Sequence, residues 1–291
     1  KERMKKFLLL ISTALIILSF LILFAFLNYK DDKLHVVFCD VGQGDAIFIR
    51  TPRQADILID GGPDDKVLEC LSRHMPFWDR SLDLVIMTHP DADHSAGLIS
   101  VVERYKIDNF YTEAVPGKTD VYKRLEANLA KKKLSAKYLH SGDRISDKHG
   151  FSMSTLWPSL EVISKIDQKR ANLRLNEVSV IQLISYGEFS TLLTGDAGFR
   201  VMDQIAELAR SINILKVPHH GSKTGMSDSF LSITNPELSV ISSGKDNSYG
   251  HPARESLNLL KAHRVEILRT DQMGDIEIIS DGKIYLLKNK N

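Results

Sequence analysis

A short loop in the first third of the chain crowds four potential metal ligands into six positions. It follows the apolar run 84–87 and reads His89-Pro90-Asp91-Ala92-Asp93-His94. Imidazole and carboxylate groups at this density would repel one another and leave lone pairs without partners unless a cation held them. The fold therefore has to bring this loop to an ion, which predicts a metal-dependent hydrolase.

Two later apolar runs end in residues of the same kind. The run 189–194 ends in Gly195-Asp196, and the run 214–217 ends in Pro218-His219-His220. A single Gly-Asp pair usually marks a turn, and a single histidine is usually a polar loop residue. Active sites collect where strand ends open into loops, so the three segments together predict convergence on one or two ions.

Strands outnumber helices in the predicted order, and helices recur between them, which is typical of a layered α/β domain. The first three strands are expected to form an antiparallel meander. Strands are predicted at 34–38, 46–49, 56–59, 84–88, 151–156, 178–185, 189–194, 214–217, 238–242, 265–268 and 276–279, and helices at 64–74, 96–105, 122–133, 200–209 and 253–263.

The N-terminal segment predicts a transmembrane helix. Phe7 to Leu27 are 21 residues without a charge, long enough to cross a bilayer core of about 30 Å. Basic residues precede the segment, so residue 1 is expected in the cytoplasm and the large domain outside it. A cleaved signal peptide is the alternative, although its apolar region is usually shorter and ends in small residues. We divide the chain into a basic flank with its helix, 1–30, and a domain, 31–291.

The charge distribution and the cysteine content narrow the possible classes of function further. Residues 1–30 hold five basic and one acidic side chain, which leaves 33 basic and 36 acidic residues in the domain. The domain therefore has no gross basic footprint for nucleic acid, although 122–124 and 131–133 could form a local phosphate-binding stripe or a solvated face. The two cysteines exclude a cysteine-based zinc ribbon. We expect Cys39 to be a buried thiol, with a Cys39–Cys70 disulfide as the alternative.

In combination, these motifs resemble the metallo-β-lactamase superfamily, whose first loop reads His-x-His-x-Asp-His. Within it, the chain resembles the C-terminal hydrolase domain of ComEC-type DNA internalisation (competence) proteins, from about residue 34 to 285. The matching motifs are Asp40-Val41-Gly42-Gln43-Gly44-Asp45, Asp60-Gly61-Gly62, His89-x-Asp91-x-Asp93-His94, Asn176-Glu177-x-Ser179-Val180, Thr194-Gly195-Asp196, Lys216-Val217-Pro218-His219-His220-Gly221-Ser222, Tyr249-Gly250-His251-Pro252 and Thr270-Asp271 with Gly274.

The resemblance implies a four-layer αββα sandwich with the site at one edge of its two sheets. It also implies a role for each matching residue. His89 and Asp91 would belong to a first metal site, and Asp196 would bridge two sites. Asp93, His94 and one of His219 or His220 would form the second site, and Asp60 would brace the loop.

Two departures from the superfamily pattern bear on the metal. Asp91 stands where most members have histidine, and Asn176 lies near the position of a third histidine. We expect one or two divalent ions. Because oxygen donors favour harder ions, Mn²⁺ is the expected metal, with Zn²⁺ or Mg²⁺ as alternatives.

The predicted function is that of a membrane-anchored, extracytoplasmic nuclease, a phosphodiesterase that cleaves DNA during uptake in natural transformation. DNA, the membrane and other DNA-uptake proteins are the expected partners. Asp93 and Asp196 would orient the attacking water, and Lys216 and His251 would contact phosphate or donate protons. Lys216 could instead be a solvated strand end. Two other functions remain open: hydrolysis of a small or cell-wall phosphodiester or ester, and non-catalytic DNA binding.

Overall fold

The computed structural model describes residues 2–29, 31–168 and 175–288, and the chain divides into two units, 1–32 and 33–291. The first unit consists mainly of one helix, α1 (Glu2–Tyr29). Its segment Glu2–Leu23 has a mean hydropathy of 2.5 and is long and apolar enough to cross a membrane. The predicted apolar segment is therefore helical.

The second unit contains two β-sheets and the remaining helices. Its strands are β1 (Leu34–Phe38), β2 (Ile47–Arg50), β3 (Asp56–Ile59), β4 (Ser81–Met87), β5 (Lys106–Thr112), β6 (Ala136–Tyr138), β7 (Arg144–Ser146), β8 (Phe151–Trp157), β9 (Ile181–Tyr186), β10 (Phe189–Leu193), β11 (Ile214–Lys216), β12 (Leu238–Ile241), β13 (Glu266–Arg269), β14 (Ile276–Ser280) and β15 (Tyr285–Lys288). Its α-helices are α2 (Lys66–His74), α3 (Ala92–Arg104), α4 (Asp120–Lys131), α5 (Leu160–Gln168), α6 (Phe199–Ile205), α7 (Asp228–Thr234), α8 (Arg254–Ala262) and α9 (Thr270–Met273), and short 3₁₀ helices lie at Leu175–Val178, Ala206–Ala209 and Pro218–Gly221.

The first sheet has eight strands in the order β15-β14-β1-β2-β3-β4-β5-β6. Strands β1, β2 and β3 pair antiparallel, which confirms the predicted meander. From β3 to β6 the strands run parallel, so their carboxyl ends meet at one edge. Helices α2, α3 and α4 cover the outer face of this sheet with side chains such as Val67, Leu98 and Leu125.

The second sheet has seven strands in the order β13-β12-β11-β10-β9-β8-β7. Strands β10 to β13 are parallel and β7 to β10 antiparallel. Helices α6, α7 and α8 cover its outer face through Met202, Phe230 and Leu260.

The main core lies between the two sheets. Val36 and Phe38 of β1 belong to this core, whereas Val37 between them belongs to the layer under the helices. Successive strand residues point to opposite faces, so a strand covered on both faces needs a continuous apolar run. The layers therefore follow the order helix, sheet, sheet, helix, which confirms the αββα sandwich.

Some predicted boundaries are wrong for physical reasons. Helix α3 begins at Ala92 rather than at 96. The extended Asp91, inside the ligand-rich loop, occupies the N-cap position, and its carbonyl oxygen accepts from the backbone N–H of Ser95 (2.9 Å). The segment predicted as a strand from 178 starts with the end of a 3₁₀ helix, and the predicted helix 200–209 changes to 3₁₀ geometry at Ala206.

The expectation of a free thiol at Cys39 is also wrong. Cys39 and Cys70 form a disulfide with a Cα–Cα distance of 5.8 Å, which joins the end of β1 to α2. Both cysteines are buried, as expected for Cys39. A separation of 31 positions gave no sign that the fold places their Cα atoms side by side.

Candidate metal centre

The ligand-rich loop is held in place by the carboxylate of Asp60 at the end of β3. Asp60 has a φ of +59° and accepts hydrogen bonds from the backbone N–H of Thr88 (2.7 Å), from Thr88 Oγ1 (2.7 Å) and from His94 Nδ1 (2.8 Å). In its neutral form, His94 donates from Nδ1 to this carboxylate, which leaves a lone pair on Nε2. Asp60 lies where the resemblance places a bracing residue.

Four donors from three separate segments converge at the edge of the two sheets. Ligand atoms of Asp93, His94, Asp196 and His220 all lie within 4.8 Å of one another. His94 Nε2 is 3.3 Å from Asp196 Oδ1, and His220 Nε2 is 3.5 Å from Asp196 Oδ2 and 3.4 Å from Asp93 Oδ2. We call these four residues the inner group.

A second set of predicted ligands faces the same Asp196 carboxylate. His89 Nε2 lies 3.6 Å from Asp91 Oδ2 and 4.0 Å from Asp196 Oδ2. His219 Nε2 lies 3.6 Å from Asp196 Oδ2. The side chains of Asp91 and His219 are 39% and 32% exposed, so this outer group opens to solvent. All seven predicted metal-site residues are thus brought to Asp196 or its neighbours.

The buried atoms of this centre fit a cation. Within the described part of the chain, His89 Nε2, His94 Nε2, His220 Nε2 and Asp196 Oδ1 are buried without a hydrogen-bond partner. His220 donates from Nδ1 to the carbonyl oxygen of Ser242 (3.0 Å), so its Nε2 is also a lone-pair acceptor. Buried polar atoms are almost always paired. Several acceptors facing one region require positive charge between them, supplied either by protons on the imidazoles or by a metal ion.

Electrostatics support the same conclusion. Burial opposes a charge on His94, yet Asp196 and Asp60 raise the pKa of its imidazole well above the ordinary value. Burial likewise opposes ionisation of Asp196, but His220 and His94 hold its carboxyl pKa well below the usual range. The field that retains a proton on His94 is the field that binds a divalent ion, and such an ion displaces the proton.

The two adjacent histidines are presented by an unusual backbone turn. His219 (φ 49°, ψ 49°) and His220 (φ 53°, ψ 24°) both lie in the left-handed region, which costs non-glycine residues about 1–2 kcal/mol each. The backbone N–H of His219 donates to Gly195 O (3.2 Å), which fastens the turn next to Asp196. The turn sends the two rings to different groups: His220 to the inner and His219 to the outer.

Asp45 and Lys216 form a buried ion pair beneath the centre. Lys216 is fully buried and also donates to Gly195 O (3.1 Å). Asp45 Oδ1 lies 3.4 Å from His220 Nδ1. The alternative of a solvated strand end for Lys216 is therefore wrong. The resemblance contained Asp45 but gave it no role. A lysine in an apolar strand was the available signal, because a buried ammonium needs an acid.

His251 lies at the rim of the centre. Its ring centroid is 5.6 Å from that of His219, and the ring of Tyr249 stacks on it with centroids 6.0 Å apart. Burial together with the neighbouring His219 and His220 lowers the pKa of His251. A neutral imidazole is thus favoured at the mouth of the site.

A buried carboxyl that sequence analysis missed stands near this edge. Glu113 follows β5 and accepts a hydrogen bond from Thr112 Oγ1 (2.9 Å). Burial raises the pKa of Glu113 to about 8 despite that bond, and the charge of Asp60 adds to the effect. Burial therefore favours the protonated form of Glu113. Because β5 carries two charged residues, Lys106 and Asp108, neither the strand nor the acid that follows it stood out in the sequence.

Comparison with family models gave no match for this chain. Curated bacterial proteins that are similar in sequence include two whose lengths far exceed that of this chain. One is ComE operon protein 3 of Bacillus subtilis, 28% identical over 82% of this chain and 32% of its own length. The other is competence protein ComA of Neisseria gonorrhoeae, 27% identical over 88% of this chain and 34% of its own length. The chain spans about a third of each.

Solved structures share the fold at low sequence identity. The metallo-β-lactamase fold protein YhfI of Bacillus subtilis has a TM-score of 0.54 at 12% identity, covering 81% of this chain and 96% of its own. Zn²⁺-bound PqqB of Methylobacterium extorquens also has a TM-score of 0.54, at 14% identity over 81% of this chain and 97% of its own. The domain has the metallo-β-lactamase fold, and in sequence it resembles competence proteins of the ComEC type.

Proposed function

We propose that this domain is a metal-dependent hydrolase that cleaves phosphodiester bonds of DNA during uptake. The observation that carries the proposal is the set of buried, unpartnered imidazole and carboxylate atoms that the two sheets bring around Asp196. Burying such a set without a cation costs folding free energy. The set also lies at the edge of the two sheets, where the resemblance places the site.

The inner group would hold one divalent ion and the outer group a second, with Asp196 shared. In this assignment Asp93, His94, Asp196 and His220 are the inner ligands, and His89, Asp91 and His219 complete the outer set. The outer group offers the exposed carboxylate of Asp91. Because oxygen donors favour hard ions, Mn²⁺ is the favoured metal, and Zn²⁺ and Mg²⁺ are compatible with the same donors.

Bound divalent ions supply acidified water and charge compensation for a phosphodiester. The protein side chains have distinct tasks around them. Asp93, with a side chain 33% exposed, orients the attacking water together with Asp196. His251 donates a ring N–H to a phosphate oxygen from the rim. Lys216 acts as a positioning residue, because its ammonium is buried against Asp45.

Three observations favour DNA as the substrate at an extracytoplasmic membrane surface. The sequence relatives include a competence protein. Helix α1 is long and apolar enough to anchor the domain, and basic residues precede its apolar part. The Cys39–Cys70 disulfide is typical of an oxidising compartment.

A nuclease assay with defined metal content tests the proposal. Protein stripped with chelator is reloaded with Mn²⁺, Zn²⁺ or Mg²⁺ and given labelled linear DNA and a small phosphodiester, bis(p-nitrophenyl) phosphate. We expect metal-dependent DNA cleavage that Asp93→Ala lowers at least about 100-fold. Asp108→Ala, which removes an exposed carboxylate of β5, is the matched control and should retain activity.

Two results would contradict the proposal. Cleavage of the small diester without any cleavage of DNA would assign the site to small or cell-wall esters. Failure to bind any divalent ion by calorimetry, with DNA binding retained, would make the domain a non-catalytic DNA-binding module.

A further inference from the structure

An aromatic pair projects from the mouth of the candidate metal centre into solvent. Tyr249 is 70% exposed, and its ring stacks on that of His251 with centroids 6.0 Å apart and an angle of 25° between the planes. His251 in turn meets the ring of His219, whose Nε2 is 3.6 Å from Asp196. We call Tyr249 and His251 the aromatic shelf.

The loop that carries the shelf is fastened to the metal centre. Asn247 bridges it, accepting from the backbone N–H of His251 (3.0 Å) and donating to the carbonyl oxygens of His251 and Gly244. Gly244 is itself tied to Gln43 (3.1 Å). The backbone N–H of Ala253 donates to Gly221 O (2.9 Å), directly after His220. The shelf is therefore placed by the same turn that places the histidine ligands.

We propose that the aromatic shelf stacks a nucleobase next to the phosphodiester held at the metal centre. The inference rests on the proposed DNA hydrolase activity and specifies its substrate. Successive contacts lead from Asp196 outward through His219 and His251 to Tyr249, so a strand whose phosphate lies at the centre would have a base within reach of the shelf. An exposed tyrosine ring next to a phosphate site offers a flat apolar face that every base can use.

Stacking of this kind selects the state of the strand rather than its sequence. In a duplex the faces of each base are covered by its neighbours, so only an unpaired strand or a frayed end has a base free to stack. The shelf therefore assigns single-stranded DNA, or a strand end, as the preferred substrate, with little base preference.

Binding to base-bearing and abasic strands tests the shelf directly. The full chain in detergent and chelator is titrated with fluorescent oligothymidylate and with an abasic oligonucleotide of equal length. We expect Tyr249→Ala to weaken binding of oligothymidylate about 5- to 10-fold, towards the lower end of measured base-stacking effects, and to leave binding of the abasic strand unchanged. Tyr249→Phe, which keeps the ring, should bind like the parent.

A matched control removes an exposed aromatic ring from the other end of strand β4. Phe77 is 81% exposed and precedes β4, whereas the metal centre follows that strand. Phe77→Ala should leave both affinities unchanged. If Tyr249→Ala weakens binding of both strands equally, or weakens binding of neither, the stacking proposal is refuted.

Cleavage assays with metal separate this inference from the proposed function. The ratio of kcat/KM for base-bearing and abasic strands is compared between the parent and Tyr249→Ala. If the parent cleaves DNA and this ratio is the same in both, the stacking proposal is refuted and the nuclease proposal stands. If the parent cleaves no DNA but the variant still loses base-dependent binding, the nuclease is refuted and the shelf stands as a binding site.

Discussion

At the scale of single residues, the sequence predicted the donors but not the contacts that arrange them. His89, Asp91, Asp93 and His94 were visible because they lie within six positions. The ion pair between Asp45 and Lys216 was not predicted, since it joins residues 171 positions apart: Asp45 precedes β2 of one sheet, and Lys216 ends β11 of the other. Which of the two adjacent histidines enters the inner group depends on left-handed backbone angles that residue types alone do not specify.

The buried pair makes a prediction at this scale. Lys216→Met removes the ammonium and leaves the buried Asp45 carboxylate without its lysine partner, which we expect to lower the free energy of unfolding by about 3–5 kcal/mol. Urea unfolding followed by tryptophan fluorescence measures this loss. Because Asp45 also contacts His220, metal affinity by calorimetry should fall about 10- to 100-fold.

The double variant is the control for the pair. Asp45→Asn combined with Lys216→Met replaces both charges, so it should recover more than half of the lost stability. A single Lys216→Met variant as stable as the parent would show that the pair has no electrostatic role.

At the scale of elements, prediction worked where a strand is buried on both faces. Strands β1, β3 and β10 read as apolar runs and were located to within one residue. Strand β5 was missed because its half-exposed first residues include Lys106 and Asp108. The start of helix α3 was predicted too late, because the ligand-rich loop also forms the first turn of this helix and has no helical apolar spacing.

The Cys39–Cys70 disulfide makes a prediction at this scale. It ties the end of β1, directly before the glycine-rich turn that leads to Asp45, to helix α2. For a cross-link between residues 31 positions apart, chain-entropy arguments give a stabilisation of about 3–4 kcal/mol. We therefore expect dithiothreitol under partly denaturing conditions to lower the Tm of the parent markedly.

A variant without either cysteine serves as the comparison. Cys39→Ala with Cys70→Ala should show the lower Tm from the start and should not respond to dithiothreitol. Free-thiol titration of the unfolded parent that finds two reactive thiols before reduction would contradict the bond itself.

At the scale of the whole domain, the strand order was beyond sequence analysis. Strand β14 lies beside β1 although more than 230 residues separate them in the chain. A charge network spans this join: His74 Nε2 lies 3.0 Å from Asp275 Oδ2, and His74 Nδ1 lies 3.5 Å from Glu277 Oε2. Arg73, His35 and Lys288 also contact these two acids. The network fastens α2 to the sheet at a place where local sequence gives no signal.

The network predicts a pH optimum of stability. Burial opposes ionisation of Asp275 and Glu277. Hydrogen bonds nevertheless hold both carboxyl pKa values well below the usual range: those of Asp275 come from His74 and Arg73, and those of Glu277 from His35 and His74. Their contribution is present above about pH 4 and is lost as the pH falls through the lowered pKa values. Burial opposes charge on His74, yet the two acids raise its pKa. That contribution is full below about pH 6.5 and is lost as the pH rises through the raised pKa.

We therefore expect the network to stabilise the fold most between about pH 4.5 and 6.5. Urea unfolding at a series of pH values in chelator measures the optimum. The difference between the parent and His74→Gln should shrink as the pH rises above this window, while His149→Gln, which changes an exposed histidine, should leave the profile unaltered. A constant difference between parent and His74→Gln from pH 5 to 9 would contradict the assignment.

The donors around Asp196 come from both halves of the sandwich: His89, Asp91, Asp93 and His94 follow a strand of one sheet, and Asp196, His219 and His220 follow strands of the other. An ion bound between them would connect the two sheets, and its binding free energy would add to the free energy of unfolding. When the metal is scarce, a larger fraction of the protein would then be unfolded. Since proteases degrade the unfolded form, the supply of the metal would also set the amount of the protein.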